Sequence, residues 1–122
     1  MPEPRDYTLF IDDILSAIEK IEKYTQNQTF ETFLKNDMAT DAVIRNFEII
    51  GEAASHIPKE LQIKYPFAEW KEMVGFRNIL IHGYFRIEIK TVWDTVKNNI
   101  PALKQHIAEI KSALENDSNT ED

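Results

Sequence analysis

The sequence predicts an all-α bundle of four or five helices, and three observations support this fold class. Apolar residues recur at spacings of three and four along most of the chain, which is the pattern of amphipathic helices. No stretch shows the alternation of apolar and polar residues that is typical of a half-buried strand. The chain has 122 residues, which is enough for one domain around one core.

The first half of the chain contains three helical segments. The first runs from about Asp6 to Tyr24, and the short segment FETFLK follows it, with Thr29 as its cap. The third runs from about Thr40 to His56, because Pro58 prevents its regular continuation. The apolar stripe of the first segment consists of Phe10, Ile14, Ile18 and Ile21, widened by Ile11 and Leu15. The stripe of the third segment consists of Val43, Phe47, Ile50 and Ala54.

The second half begins with short, irregular helical turns over residues 59–71. A further helix starts near Trp70 and ends at Gly83, since glycine readily adopts the left-handed conformation that terminates helices. An apolar stripe then continues from Lys90 to Leu114 through Pro101, which predicts one long bent helix or two nearly collinear ones. The remaining segment, ENDSNTED, is acidic and lacks apolar residues. We therefore predict a single domain over residues 1–114 and a disordered tail over residues 115–122.

Composition excludes several classes of protein. The chain has no cysteine, so it has neither disulfides nor a thiolate metal site. Its apolar runs are far shorter than a membrane span, and MPEPRDYTLF does not resemble a secretory signal, so we expect a cytoplasmic protein without membrane contact. The net charge of −7 argues against indiscriminate nucleic-acid binding, but residues 59–97 carry +2 and the remainder −9. We expect the basic segments of two chains to line one groove for an anionic substrate, while the acidic residues face away.

The stretch RNILIHGYF, residues 77–85, lies in this basic segment and contains the candidate chemistry. Arg77 presents a fork of donors that matches phosphate oxygens. His82 lies in the last turn of its helix, where the helix dipole favours the imidazolium form, and Asn78 lies four residues before it on the same face, within reach of a hydrogen bond. Arg77 and His82 also fit ordinary roles on a helix surface or at a helix end. We interpret His56 as helix-terminal and His106 as solvated.

Arginine and histidine together suit the cleavage of RNA without a metal or other cofactor. In such a reaction the 2′-hydroxyl attacks phosphorus, arginine stabilises the added negative charge, and histidine transfers protons. The reaction needs both a base and an acid, but one chain offers a single well-placed histidine. The chemistry therefore predicts a homodimer in which the two copies of residues 77–84 face each other.

Several blocks of the sequence resemble one known family. The order Arg77, Asn78, three apolar residues, His82, Gly83, Tyr84 is similar to the Arg-x4-His-x-Tyr motif of the HEPN ribonuclease superfamily. Four longer blocks resemble its HepT branch: RDYTLFIDDILSAIEKIEKYT, DAVIRNFEIIGEAA, YPFAEWKEMVGFRNILIHGYF and TVWDTVKNNIPALKQHI. The likeness as a whole covers about residues 5 to 112.

The resemblance implies a HEPN-type helical bundle that forms a homodimer and acts as a metal-independent endoribonuclease toxin of a type VII toxin–antitoxin system. It implies that Arg77 and His82 are catalytic and that Asn78 supports them. The implied partner is an MntA-like minimal nucleotidyltransferase antitoxin, which transfers AMP from ATP to Tyr84. The added charge and bulk beside the cleft would exclude RNA. Glu52, in the IGEA block, either assists the site or is a helix acid that faces solvent.

Two other interpretations remain open at this point. The chain is also compatible with a noncatalytic helical subunit of a nucleotidyltransferase complex, in which Arg77 and His82 hold a nucleotide phosphate. A third possibility is a purely structural helical dimer, with the motif at the interface for packing. RNA cleavage and the behaviour of a His82→Ala variant distinguish these interpretations from a ribonuclease.

Overall fold

A computed structural model describes the backbone of residues 4–82 and 88–120 and the side chains of residues 7–82 and 88–116. Within these ranges it contains seven α-helices and no strand, which confirms the predicted all-α class. The helices are α1 (Pro4–Thr25), α2 (Phe30–Lys35), α3 (Asp37–Ser55), α4 (Lys59–Lys64), α5 (Trp70–His82), α6 (Ile89–Asn98) and α7 (Ile100–Thr120), with a 3-10 turn at Pro66–Ala68. None of these helices is long and apolar enough to cross a membrane.

The number of helices exceeds the predicted four or five for two reasons. Helices α2 and α4 contain only six residues each, and the predicted C-terminal helix is divided at Asn99. The backbone N–H of Asn99 donates to the carbonyl of Thr95 at 2.9 Å, and α7 begins at the next residue. Pro101 then lies in the first turn of α7, where a missing N–H breaks no intrahelical bond.

Helix α7 also continues beyond its predicted end. Residues 115–120, which we expected to be disordered, are helical up to Thr120. The expectation rested on the absence of apolar residues, but a helix that is anchored by packing gains one backbone hydrogen bond for each residue added. Residues 121 and 122 lie outside the described residues.

The core lies between α1, α3, α5 and α7. Helix α3 packs against α1 on one side and α5 on the other, and α7 packs against α1. The predicted stripes of α1 and α3 are the centre of this core, since Ile14, Ile18 and Val43 have no exposed surface. Burial of a large aliphatic side chain stabilises a fold by about 1.5–3 kcal/mol. These two faces therefore fix α3 against α1. On its other side α3 packs against α5, the helix that carries the motif.

Candidate active site

A glycine of α3 brings α5 unusually close at the first residue of the motif. A Cβ atom added to Gly51 would lie 2.1 Å from Cβ of Arg77 and 2.8 Å from the carbonyl oxygen of Met73. Real Cβ atoms do not approach other atoms so closely, so only glycine fits here. The next residue of α3, Glu52, consequently lies beside the Arg77 side chain.

Two neighbours hold the guanidinium group of Arg77. Its Nη2 is 2.7 Å from Oε2 of Glu52, and its Nη1 donates to Oδ1 of Asn78 at 3.2 Å. The ion pair is the stronger of the two contacts, because both partners are charged. An arginine has five N–H donors, and these contacts use only part of them. The side chain remains 30% exposed, so the held guanidinium can still bind an anion.

The second oxygen of Glu52 contacts a histidine that we had not assigned to the site. Nε2 of His56 lies 3.2 Å from Oε1 of Glu52, and the imidazole stacks on Phe10 with ring centroids 5.0 Å apart. His56 does cap the C-terminus of α3, as predicted. Its contact with the site was missed, although the spacing of four between Glu52 and His56 on one helix is a signal for such a pair.

One pocket of about 430 Å³ between α1, α3 and α5 is lined by Phe10, Glu52, His56 and Arg77, among other residues. Its charged lining consists of the carboxylates Asp13, Glu48 and Glu52 and the guanidinium groups Arg45 and Arg77, a net charge of −1 with neutral His56. Arg45 and Glu48 lie 4.0 Å apart, and Glu52 pairs with Arg77. Within a single chain, Arg77 is the one described residue of the basic segment that contributes a positive charge to this pocket.

His82 lies away from this pocket within one protomer. It is exposed in the last described turn of α5, five residues after Arg77 and so about 140° further round the helix. Ile81, not His82, lines the pocket at this end. The predicted hydrogen bond between Asn78 and His82 is absent from the described ranges, where the Asn78 amide oxygen accepts from Arg77.

The structure thus brings together Arg77, Asn78 and Glu52, and it adds His56 to them. It does not place His82 with this group in a single protomer, and Tyr84 lies outside the described residues. Within the described ranges, no three histidine or carboxylate side chains are grouped so that they could hold a metal ion.

The third histidine of the chain is remote from the pocket. His106 lies on α7, where its ring packs edge-on against Phe67 with centroids 5.0 Å apart. It is partly buried, so the interpretation of His106 as a solvated residue is wrong. Because it does not line the pocket, it offers a matched control for substitutions of the other two histidines.

Comparison with known proteins gives one family model and several relatives that are all described as ribonucleases. The family model described as Ribonuclease HepT-like matches residues 14–110. A "Putative RNase" of Methanocaldococcus jannaschii is 43% identical over 115 residues, which cover 94% of this chain and 98% of that protein. The "Probable ribonuclease HepT" of Thermococcus cleftensis is 43% identical over 100 residues, which cover 82% and 91% of the two chains.

One relative is a longer protein. The "Gamma-glutamylcyclotransferase and putative RNase" of Methanocaldococcus jannaschii is 40% identical over 115 residues, and the chain spans 52% of its length. No solved structure gives a significant match.

Proposed function

Because the chain belongs to the HepT-like ribonuclease family, we propose that it is a metal-independent endoribonuclease toxin with Arg77 and His82 as its catalytic pair. The observation that carries this proposal is the state of Arg77, whose guanidinium is held by Glu52 and Asn78 while part of it stays open to solvent. A donor held in advance at the place where negative charge develops needs no reorganisation during the reaction.

The proposed reaction is an internal displacement at phosphorus. The 2′-hydroxyl of the RNA attacks the adjacent phosphate, the bond from phosphorus to O5′ breaks, and the products carry a 2′,3′-cyclic phosphate and a 5′-hydroxyl. Arg77 stabilises the charge that builds up on the phosphate oxygens, a role in which loss of one donor costs on the order of 10²–10³ in rate. His82, in the final turn of α5, donates a proton to the departing O5′.

A homodimer would bring the two groups of the pair together. Within one protomer Arg77 and His82 point to different sides of α5, so a second copy placed against α5 would set its His82 near the first copy's Arg77. Ile79 is 61% exposed and lies three residues before His82, on the same side of α5. An interface that includes His82 would cover this apolar side chain.

We propose that a nucleotidyltransferase controls this activity. Tyr84 is two residues beyond His82, so AMP attached to its hydroxyl would place a phosphate and an adenosine beside the catalytic histidine. The negative charge would repel the RNA backbone, and the added bulk would block access to the site. An MntA-like antitoxin that transfers AMP from ATP to Tyr84 would therefore neutralise the toxin.

The test is cleavage of total RNA by the purified protein in excess EDTA. Intact mass first establishes that the protein carries no AMP, and circular dichroism establishes that His82→Ala and the control His106→Ala are folded. We expect cleavage by the wild type and by His106→Ala, with cyclic phosphate ends, and none by His82→Ala. Absence of cleavage by AMP-free wild type, together with nucleotide binding that depends on Arg77, would instead identify a noncatalytic binding subunit.

A further inference from the structure

Cleavage by this route needs a base as well as an acid, and we propose that His56 is the general base that activates the 2′-hydroxyl. The inference rests on the proposed ribonuclease function and deepens it. It assigns the base to α3 of the same chain as Arg77, and not to the His82 of a second copy.

The contact between His56 and Glu52 determines which ring nitrogen is available. Nε2 lies 3.2 Å from the Glu52 carboxylate, which can only accept a hydrogen bond, so Nε2 must carry the proton. In the neutral ring the lone pair then lies on Nδ1. No hydrogen bond engages Nδ1 within the part of the chain that the structure describes. The imidazole therefore presents a free basic nitrogen in a defined tautomer.

His56 is also in the right place relative to Arg77. One carboxylate, that of Glu52, contacts both side chains through its two oxygens, and both side chains line the same pocket. Stacking on Phe10 limits rotation of the ring, while 52% of the side chain remains exposed. A phosphodiester bound by Arg77 would thus have its ribose beside His56.

The charges that face His56 suit a group that becomes positive during the reaction. Carboxylates reach the pocket from two helices, Asp13 from α1 and Glu48 and Glu52 from α3, and the cations are Arg45 of α3 and Arg77 of α5. With one negative charge in excess, the pocket stabilises the imidazolium that forms when the base takes up a proton. Carboxylates beside an arginine that binds phosphate would otherwise be unfavourable, because they repel the phosphate. In this proposal they balance the positive charge that forms on the base.

The proton balance of the step is complete without a further reactant. The proton of the 2′-hydroxyl passes to Nδ1 of His56 as O2′ forms its bond to phosphorus. The bond from phosphorus to O5′ breaks, and O5′ takes a proton from His82. The two histidines end in the opposite protonation states and return to their starting states by exchange with water.

His56→Gln separates a base from a residue that only supports Glu52. The amide nitrogen of glutamine can take the place of Nε2 and donate to Glu52, but glutamine has no basic nitrogen. A general base contributes about 10²–10⁴-fold to a rate. We expect His56→Gln to lower kcat by a factor in this range with an unchanged KM and an unchanged melting temperature, while His106→Ala keeps the wild-type kcat.

A second variant tests the same role through chemical rescue. In His56→Ala, added imidazole can enter the vacated space and act as the base, so cleavage should rise with the concentration of neutral imidazole. The rise of the wild-type rate with pH as the base loses its proton should disappear in His56→Gln. Rescue together with this change in the pH profile would support the inference.

The outcomes separate this inference from the function on which it rests. Absence of cleavage by AMP-free wild type overturns both. If the wild type cleaves RNA and His56→Gln has the same kcat, only the role of His56 as the base is overturned. If the residual cleavage by His56→Gln is slower but keeps the wild-type pH profile, and imidazole does not rescue His56→Ala, His56 is a structural residue and the inference is wrong.

Discussion

Replacement of Gly51 by alanine tests the close contact that sets the position of Arg77. In a helix interior, alanine is ordinarily more stable than glycine by roughly 0.5–1 kcal/mol. Here the new Cβ would lie 2.1 Å from Cβ of Arg77, whereas carbon atoms make contact at about 3.5 Å. Helices α3 and α5 must therefore separate by more than about 1 Å at this point. Overpacking typically costs about 1–3 kcal/mol, so after the gain from alanine we expect a net loss of up to about 2.5 kcal/mol.

The assay is urea denaturation of Gly51→Ala beside Gly75→Ala. A Cβ at Gly75, which lies on α5, would meet no atom within 4 Å. We expect Gly75→Ala to gain about 0.5–1 kcal/mol in the free energy of unfolding. RNA cleavage provides a second readout, because separation of the helices moves the guanidinium of Arg77 away from Glu52. If Gly51→Ala is as stable and as active as Gly75→Ala, the argument for a close crossing at Arg77 is refuted.

Three further substitutions have defined outcomes. Phe33→Ala removes a side chain without exposed surface and should cost about 3–5 kcal/mol in chemical denaturation; a loss within experimental error would contradict the core described above. Glu52→Gln releases the guanidinium of Arg77, so kcat should fall while KM does not rise, and steady-state kinetics with the opposite pattern would exclude a positioning role. The hydrogen bond and charge of Glu22 raise the pKa of Lys104 above its ordinary value of 10.5. The interaction of Lys104 with Glu22 therefore stabilises the fold fully below pH 10.5, and this stabilisation is lost as the pH rises through the pKa of Lys104 in the folded state. The melting temperature of Lys104→Met should consequently fall less steeply over this pH range than that of the wild type.

Much of the fold was predictable because it depends on local periodicity. A helix that buries one face must repeat its apolar residues every three or four positions, and the predicted stripes through Ile14 and Val43 are buried as expected. The division at Asn99 was left open, because a proline in an apolar stripe is compatible with a kink and with a new first turn. The structure has the new first turn, since α6 ends at Asn98 and α7 begins at Ile100, one residue before Pro101.

The candidate site was predictable where it is local in sequence, and the family resemblance also indicated Glu52 as a possible member. Arg77 and Asn78 are adjacent and belong to one motif, and they are in contact. His56 was missed because its relation to Arg77 depends on how α3 crosses α5, which Gly51 determines through a tertiary contact. The acidic lining of the pocket was not predicted either, since Asp13 and Glu48 come from segments far from Arg77 in the sequence.

The most direct test of the proposed chemistry uses the cleavage site that total RNA reveals. Two oligonucleotides that span this site, one entirely RNA and one with a single 2′-deoxy residue on the 5′ side of the scissile phosphate, are incubated with AMP-free protein in excess EDTA. Attack by the 2′-hydroxyl predicts cleavage of the first to a 2′,3′-cyclic phosphate and no cleavage of the second at that position. Equal cleavage of both, or cleavage only after a divalent metal is added, would contradict the proposed mechanism.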